Sequence, residues 1–257
     1  MMSDVSELSA ELPAEVSSER WPWARLAPGW ADVVAGAEPW KPSGDAVLVI
    51  VPHPDDESLM FGGLLARCAT LGAPVHVLAV TDGGAAYPDA VDQRSLARLR
   101  RREQREALAE LGLDGATVTR LGIPDGSVAD HEDELVDAIA TVVDEGSIGS
   151  VLTPWVHDHH TDHETCGRAV GRARRHGASG YTIVSGLFWS MLREPAPPEL
   201  ALAALVLTSE EMERKSAAIR RHRSQIGPLV CDEPVLGDHE LALTRWRREH
   251  LIVDPAR

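Results

Sequence analysis

The sequence is poor in cysteine, in positive charge and in long apolar runs, and each shortage closes off a class of protein. Its three cysteines, Cys68, Cys166 and Cys231, stand far apart with no C-x-x-C pair. That spacing argues against a disulfide scaffold and fits a reducing compartment, so a cytoplasmic location is expected. Lys and Arg number 25 against 40 Asp and Glu, a formal charge of −15. Such a balance argues against a nucleic-acid partner and against an anionic membrane surface, while leaving room for a basic pocket. No apolar run approaches the roughly 20 residues of a membrane span. The opening M-M-S-D-V-S-E-L is acidic and lacks the apolar centre of a secretory signal. Gly62-Gly63 and Gly83-Gly84 do not make a G-x-G-x-x-G fingerprint, and no serine or cysteine nucleophile motif is present.

What is present centres on residues 47–57, V-L-V-I-V-P-H-P-D-D-E. The five apolar residues Val47–Val51 suit a strand buried on both faces. Pro52 and Pro54 then end the ladder. Between and after them come His53, Asp55, Asp56 and Glu57, where a helix begins that carries Leu59, Leu64, Leu65, Cys68 and Leu71 and stops at Gly72. Three adjacent carboxylates repel one another, and a divalent cation would offset that repulsion. A helix N-terminus favours acidic residues, which accounts for Asp56 and Glu57 but not for His53 between two prolines.

Further strands are expected at 75–81, 116–121, 148–153, 181–184 and 187–190. Helices are expected at 89–111, 130–145, 163–175 and 209–223, the last capped by Ser209. His76, inside a strand, reads as a packed histidine. The alternation predicts an α/β fold with a Rossmann-like, mostly parallel sheet flanked by helices and an active site at the C-terminal strand ends. Residues 1–44 are expected to be an N-terminal extension packed on a domain of residues 45–257. The extension holds Trp21, Trp23, Trp30 and Trp40, and a disordered tail has few aromatics. A flap over the sheet edge is the simpler role; a wall of the site or a homo-oligomer contact is the alternative. The strand at 148–153 runs into a second cluster, His157, Asp158, His159, His160, Asp162 and His163, at the same sheet edge as His53.

P-H-P-D-D-E after a hydrophobic strand resembles the signature of the PIG-L / LmbE-like zinc-dependent de-N-acetylases. That family includes deacetylases of mycothiol, bacillithiol and glycosylphosphatidylinositol biosynthesis. His160, Asp162 and His163 match its H-x-D-H motif, with Thr161 where the family often has proline. Weaker matches are R-x-x-E at Arg100 and Glu103, the P-D-G turn at Asp125, and K-x-x-A-x-x-x-H-x-S-Q from Lys215 to Gln225. The resemblance spans residues 46–226.

It implies that His53, Asp56 and His163 hold Zn2+, with Fe2+ or another divalent ion as an alternative. It makes Asp55 the base acting on a zinc-activated water. His160 becomes a second catalytic residue that, as an imidazolium, helps stabilise the oxyanion, and Asp162 orients a neighbouring histidine. Arg100, Asp125, His222 and Gln225 fall on the substrate side. Each of these four also has a plainer reading: a solvated helix face for Arg100, a turn former for Asp125, a helix end for His222 and Gln225. The implied reaction removes an acetyl group from the amine of a small N-acetylated sugar or glycoconjugate. Two alternatives are a phosphatase-like hydrolase with a second metal site at His157, Asp158 and His159, and a sugar- or metal-binding module without turnover. Mere binding needs neither Asp55 nor His160, which weighs against the module.

Overall fold

In the computed structural model, residues 26–87, 91–177, 180–230 and 234–256 are described. Eight strands form one sheet: β1 (Glu38–Pro39), β2 (Val47–Val51), β3 (Val75–Ala79), β4 (Thr117–Arg120), β5 (Ser150–Pro154), β6 (Thr182–Gly186), β7 (Ala203–Val206) and β8 (Arg248–Asp254). Their order is β1-β7-β8-β6-β5-β2-β3-β4. Every neighbouring pair is parallel except those made by β8, which runs antiparallel to both β6 and β7. The sheet is therefore mostly parallel, as expected.

The unbroken apolar run of β2 has a physical cause. Val47, Val49 and Val51 pack with Leu64, Leu65 and Leu108 on one face. Leu48 and Ile50 pack with Leu135, Ile139 and Val170 on the other. Helices cover both faces, so a strand with two alternating apolar sides is required. The first face carries α2 (Asp56–Leu71), α3 (Gln93–Glu110) and α7 (Ser209–Ile219). The second carries α4 (Glu132–Gly146) and α5 (Thr161–Arg175). Helix α2 ends at Gly72, whose φ of 70° needs the freedom of glycine.

Four expectations are corrected. No strand forms over residues 187–190; β6 stops at Gly186, and a short helix, α6 (Trp189–Arg193), follows. The N–H groups of Phe188 and Ser190 bond the Asp158 carboxylate instead of a neighbouring strand. The cap of α7 is Thr208, not Ser209; its hydroxyl accepts the Glu211 N–H while the Glu211 carboxylate accepts the Thr208 N–H. That helix ends at Ile219, and α8 (Arg223–Ile226) is separate. Helix α3 starts at Gln93 behind an Asp92 cap rather than at residue 89.

Trp30, in α1 (Trp30–Ala35), is fully buried, and its Nε1 donates to the Glu194 carbonyl at 2.8 Å. Residues 26–44 do more than cover the sheet, because β1 supplies its edge strand. Trp21 and Trp23, like Cys231, lie outside the described residues.

Buried charge also ties the layers together. The Lys215 ammonium on α7 meets the Glu249 carboxylate of β8 at 2.7 Å, with both side chains almost wholly buried. The same carboxylate accepts the backbone N–H groups of Gly63 and Leu64 in α2, at 2.7 and 2.8 Å. A Cβ at Gly62 would come within 2.8 Å of the Lys215 side chain, so glycine there permits the close approach of α2 and α7.

Candidate metal centre and active site

The C-terminal ends of β2 and β5 bring the two sequence clusters together. After β2, Pro52 to Asp55 make a turn braced by Thr81, whose hydroxyl donates to the Pro52 carbonyl at 2.8 Å. Asp55 holds a φ of 145°, a strained value for a residue with a side chain. Its carbonyl accepts the N–H groups of Ser58 and Leu59, each at 2.9 Å, and so starts α2. Asp56 is the first residue of that helix. Its Oδ2 lies 3.3 Å from His53 Nδ1 and 3.3 Å from His163 Nε2. Donor atoms of His53, Asp56 and His163 all fall within 4.8 Å of one another. Two imidazole nitrogens and one carboxylate oxygen are a donor set that fits a divalent cation and leaves a coordination position open, as in catalytic zinc sites.

The far nitrogen of each histidine is also held. His53 Nε2 lies 3.1 Å from Asp162 Oδ2 and 3.3 Å from Asp125 Oδ1. His163 Nδ1 lies 2.9 Å from Asp158 Oδ2. Such carboxylate partners select the tautomer and orient the ring toward a metal. Asp162 thus orients a histidine, but it is His53 from the other loop rather than a neighbour in sequence. Asp158 was expected only at a second metal site. It is fully buried, and its other oxygen accepts the N–H groups of Phe188 and Ser190 and the Ser190 hydroxyl at 2.9, 3.2 and 3.0 Å. His157 and His159 are exposed, and among the described residues no group of potential metal ligands joins them to Asp158, so the phosphatase-like reading gains no support for a second metal. Nothing in the spacing of the histidine-rich loop distinguishes Asp158 beforehand. Its partners on α6 become neighbours only through β6.

A prediction follows for Asp158→Asn. The amide oxygen can keep the loop contacts, while its NH2 faces His163 Nδ1 and opposes the required tautomer. Divalent-metal affinity falls about 10–100-fold, with circular dichroism unchanged. A metal titration giving wild-type affinity would reduce Asp158 to a loop brace.

Electrostatics follow the geometry. Burial disfavours a charged His163, but Asp56 and Asp158 outweigh it and raise its pKa to about 9. Burial likewise opposes a charge on His53, and Asp125, Asp162 and Asp56 raise it nonetheless. Burial would raise Asp56, yet His163 and His53 hold it far below the usual carboxylate range. Burial and the Asp56 charge push Asp55 up to about 8. Protons therefore occupy the histidines in the metal-free protein and compete with a cation, so metal affinity falls as pH falls. Burial, then His163 and His53, lower His160 to about 4. In the metal-free protein this lowering opposes the expected imidazolium, and a cation held nearby would oppose it further.

His160 packs edge-on against His53, and its Nδ1 is buried with no hydrogen-bond partner among the described residues. It faces a cavity of about 350 Å³ that also takes in Asp55, Arg100, Asp125 and Gln225. Arg100 is 2% exposed, and its Nε and Nη2 have no hydrogen-bond partner among the described residues. That removes the solvated-helix reading. Asp125 does more than form a turn, since its second oxygen accepts the Ala85 N–H at 2.9 Å. The Gln225 amide donates to the Pro54 carbonyl, and Glu103 accepts the Ser224 N–H and hydroxyl at 2.9 and 2.6 Å. The R-x-x-E and H-x-S-Q segments thus lock onto each other and onto the turn that carries Asp55. His222 does not line the cavity; it is buried behind Asp55, 3.2 Å from Ser58 Oγ and 3.3 Å from Glu57 Oε1. Its placement on the substrate side is corrected accordingly.

Comparison with known proteins agrees. The family model PIG-L, GlcNAc-PI de-N-acetylase, matches residues 48–174. The probable N-acetyl-alpha-D-glucosaminyl L-malate deacetylase 2 of Bacillus subtilis (strain 168) is 30% identical over 216 residues, 80% of this chain and 95% of that protein. The 1D-myo-inositol 2-acetamido-2-deoxy-alpha-D-glucopyranoside deacetylase of Mycobacteroides abscessus is 30% identical over 231 residues, 70% of this chain and 81% of its own. The solved N,N'-diacetylchitobiose deacetylase from Pyrococcus horikoshii shares the fold, with a TM-score of 0.59, 20% identity, and coverage of 82% of this chain and 84% of that one. Matched along both loops of the candidate centre and through near-full-length relatives, the chain belongs to the PIG-L (GlcNAc-PI de-N-acetylase) family.

Proposed function

We propose that the protein is a zinc-dependent N-deacetylase that hydrolyses the acetamide of a small N-acetylated sugar or glycoconjugate. The observation that carries this reading is the convergence of His53, Asp56 and His163 beside Asp55 in the cavity that Arg100 enters. Bound there, the cation would act as a Lewis acid and lower the pKa of a water to roughly 7.

The chain's own residues supply the rest. Asp55 accepts the proton of the attacking water; burial makes its carboxyl more basic than usual, and a cation held beside it would keep it ionised. His160, neutral, offers an N–H to the developing oxyanion. Asp55 then passes the proton it took from the water to the leaving amine, while the His160 N–H stays on the oxyanion. Arg100 Nε and Nη2 form one side of a planar fork suited to a polar oxygen of the sugar. Asp125 serves the substrate chiefly by holding His53. Cys68 and Cys166 are free and buried, which suits the cytoplasmic placement that belongs to this proposal.

The test is a panel of N-acetylated sugars assayed for released primary amine, with metal content measured in parallel. The expected result is about one divalent ion per chain, activity lost on chelation, and recovery with zinc. Amine release that survives complete metal removal, or no release by metal-loaded protein from any sugar, would overturn the reading.

A further inference from the structure

Glu57 is the third carboxylate of the run that follows β2, and neither the metal centre nor the cavity uses it. Among the described residues it belongs to no group of potential metal ligands, and it does not line the cavity. An acidic residue that only complemented the N-terminus of α2 would sit in solvent, whereas Glu57 is wholly buried. Both of its oxygens are occupied. Oε2 accepts the Asp55 N–H at 3.4 Å and the Gln104 amide at 3.1 Å. Gln104 is oriented for this, since its own oxygen accepts Arg120 at 2.7 Å and so turns the NH2 toward Glu57. Oε1 accepts the Ser58 hydroxyl at 3.1 Å and lies 3.3 Å from His222 Nε2, itself 3.2 Å from that hydroxyl. Burial opposes a charge on His222, and Glu57 raises its pKa nonetheless. Donors from α2, from α3 and from the residue before α8 thus converge on one carboxylate. What they brace is the turn before α2. Asp55 holds a φ of 145°, a conformation that persists only where the surroundings over-determine it. Ser58 and Leu59 hold the Asp55 carbonyl and Gln225 holds that of Pro54, while Glu57 holds the Asp55 N–H.

We propose that Glu57, backed by His222 and Gln104, is the positioning residue for Asp55. It fixes the Asp55 N–H, and with it the backbone angle that sends this carboxylate into the cavity while Asp56 turns to the histidines. The assignment rests on the deacetylase reading above and adds a residue to that same site. Released from Glu57, Asp55 can relax toward an ordinary φ, which swings its carboxylate away from the water it must deprotonate. Glu57 touches neither the cavity nor the ligand group, so its effect on catalysis passes through Asp55.

The experiment takes metal-loaded wild type, Glu57→Met, Glu57→Gln, His222→Gln, Asp55→Asn and Asp55→Asn/Glu57→Met. It measures kcat, KM and metal content with the best substrate of the N-acetylated sugar panel. Glu57→Met deletes the acceptor and should lower kcat on the order of 10- to 100-fold, with KM within about 2-fold and metal content unchanged. Glu57→Gln still offers one oxygen to the Asp55 N–H and should stay within about 3-fold of wild type in kcat. In the double variant Glu57→Met should cost no rate beyond that of Asp55→Asn, because the carboxylate it aims is already gone. A glutamate needed only for folding would lower the melting temperature and leave kcat of the folded protein intact. Wild-type kcat in Glu57→Met, losses that multiply in the double variant, or a fall in metal content that explains the loss would each overturn the assignment. Should Glu57→Met fail to fold, His222→Gln decides in its place: a loss confined to kcat supports the assignment, and wild-type kcat overturns it. Hydrogen exchange of the Asp55 N–H, followed by NMR, gives a readout without turnover. If wild type releases no amine from any sugar, the deacetylase reading fails, and exchange alone judges the turn: faster exchange in the variant supports the brace and unchanged exchange overturns it.

Discussion

Asp55→Asn is expected to retain its metal and lose about 10²–10⁴-fold in turnover, the usual worth of a positioned general base. Asp56→Asn is expected to lose the metal itself, with partial recovery in excess zinc. The two residues are adjacent, yet the backbone sends them to different tasks. Asp56 begins α2 and places one oxygen 3.3 Å from a nitrogen of each metal-facing histidine. Asp55 sits one residue earlier at a φ of 145°, outside that ligand group but inside the same cavity. Asn preserves the shape of Asp, so neither change need disturb the turn, but an amide is no base at neutral pH. Metal content and kcat are measured on both variants side by side. An Asp55→Asn protein empty of metal, with Asp56→Asn loaded but inactive, would exchange the two roles. Wild-type metal and rate in both would remove this loop from the active site.

Lys215→Met is expected to destabilise the fold by about 3–5 kcal/mol, the range for breaking one side of a buried ion pair. Glu249 would stay buried with only the N–H groups of Gly63 and Leu64 to satisfy it. The double variant Lys215→Met/Glu249→Gln should recover part of the loss, because no bare charge remains and the amide oxygen can still accept an α2 N–H. Urea unfolding of the single and double variants measures both effects. A loss below about 1 kcal/mol for Lys215→Met would mean the pair behaves as a solvated surface bridge. The consequence reaches the site, since α2 begins with Asp56 and its position depends on this tie.

Much of the candidate site is legible in the sequence because its signals are contiguous. Five apolar residues followed by two prolines mark a buried strand and its end, and His53, Asp55 and Asp56 follow at once. His163 became legible only through the second motif, whose position after another strand implied the same sheet edge. Strands β7 and β8 escaped for the opposite reason. A-A-L-V is short, R-E-H-L-I-V-D opens with three polar residues, and neither carries a motif. Residues 187–190, L-F-W-S, are apolar enough for strand or helix; the Asp158 carboxylate that takes the N–H groups of Phe188 and Ser190 decides between them.

By itself, then, the sequence determined the buried parallel strands, the loops at their ends and the histidines and carboxylates those loops carry. All of these follow from residues within a few positions of one another, where backbone preference and hydrophobic period act directly. Only the tertiary structure decided the polar partnerships. Asp162 reaches His53 across 109 residues, Ser224 reaches Glu103 across 121, and Glu249 reaches α2 across more. It also turned His222 away from the cavity and Asp158 toward His163. A polar side chain has no period to betray its direction, and its partner is whatever unsatisfied donor or acceptor the packed layers bring within about 3 Å.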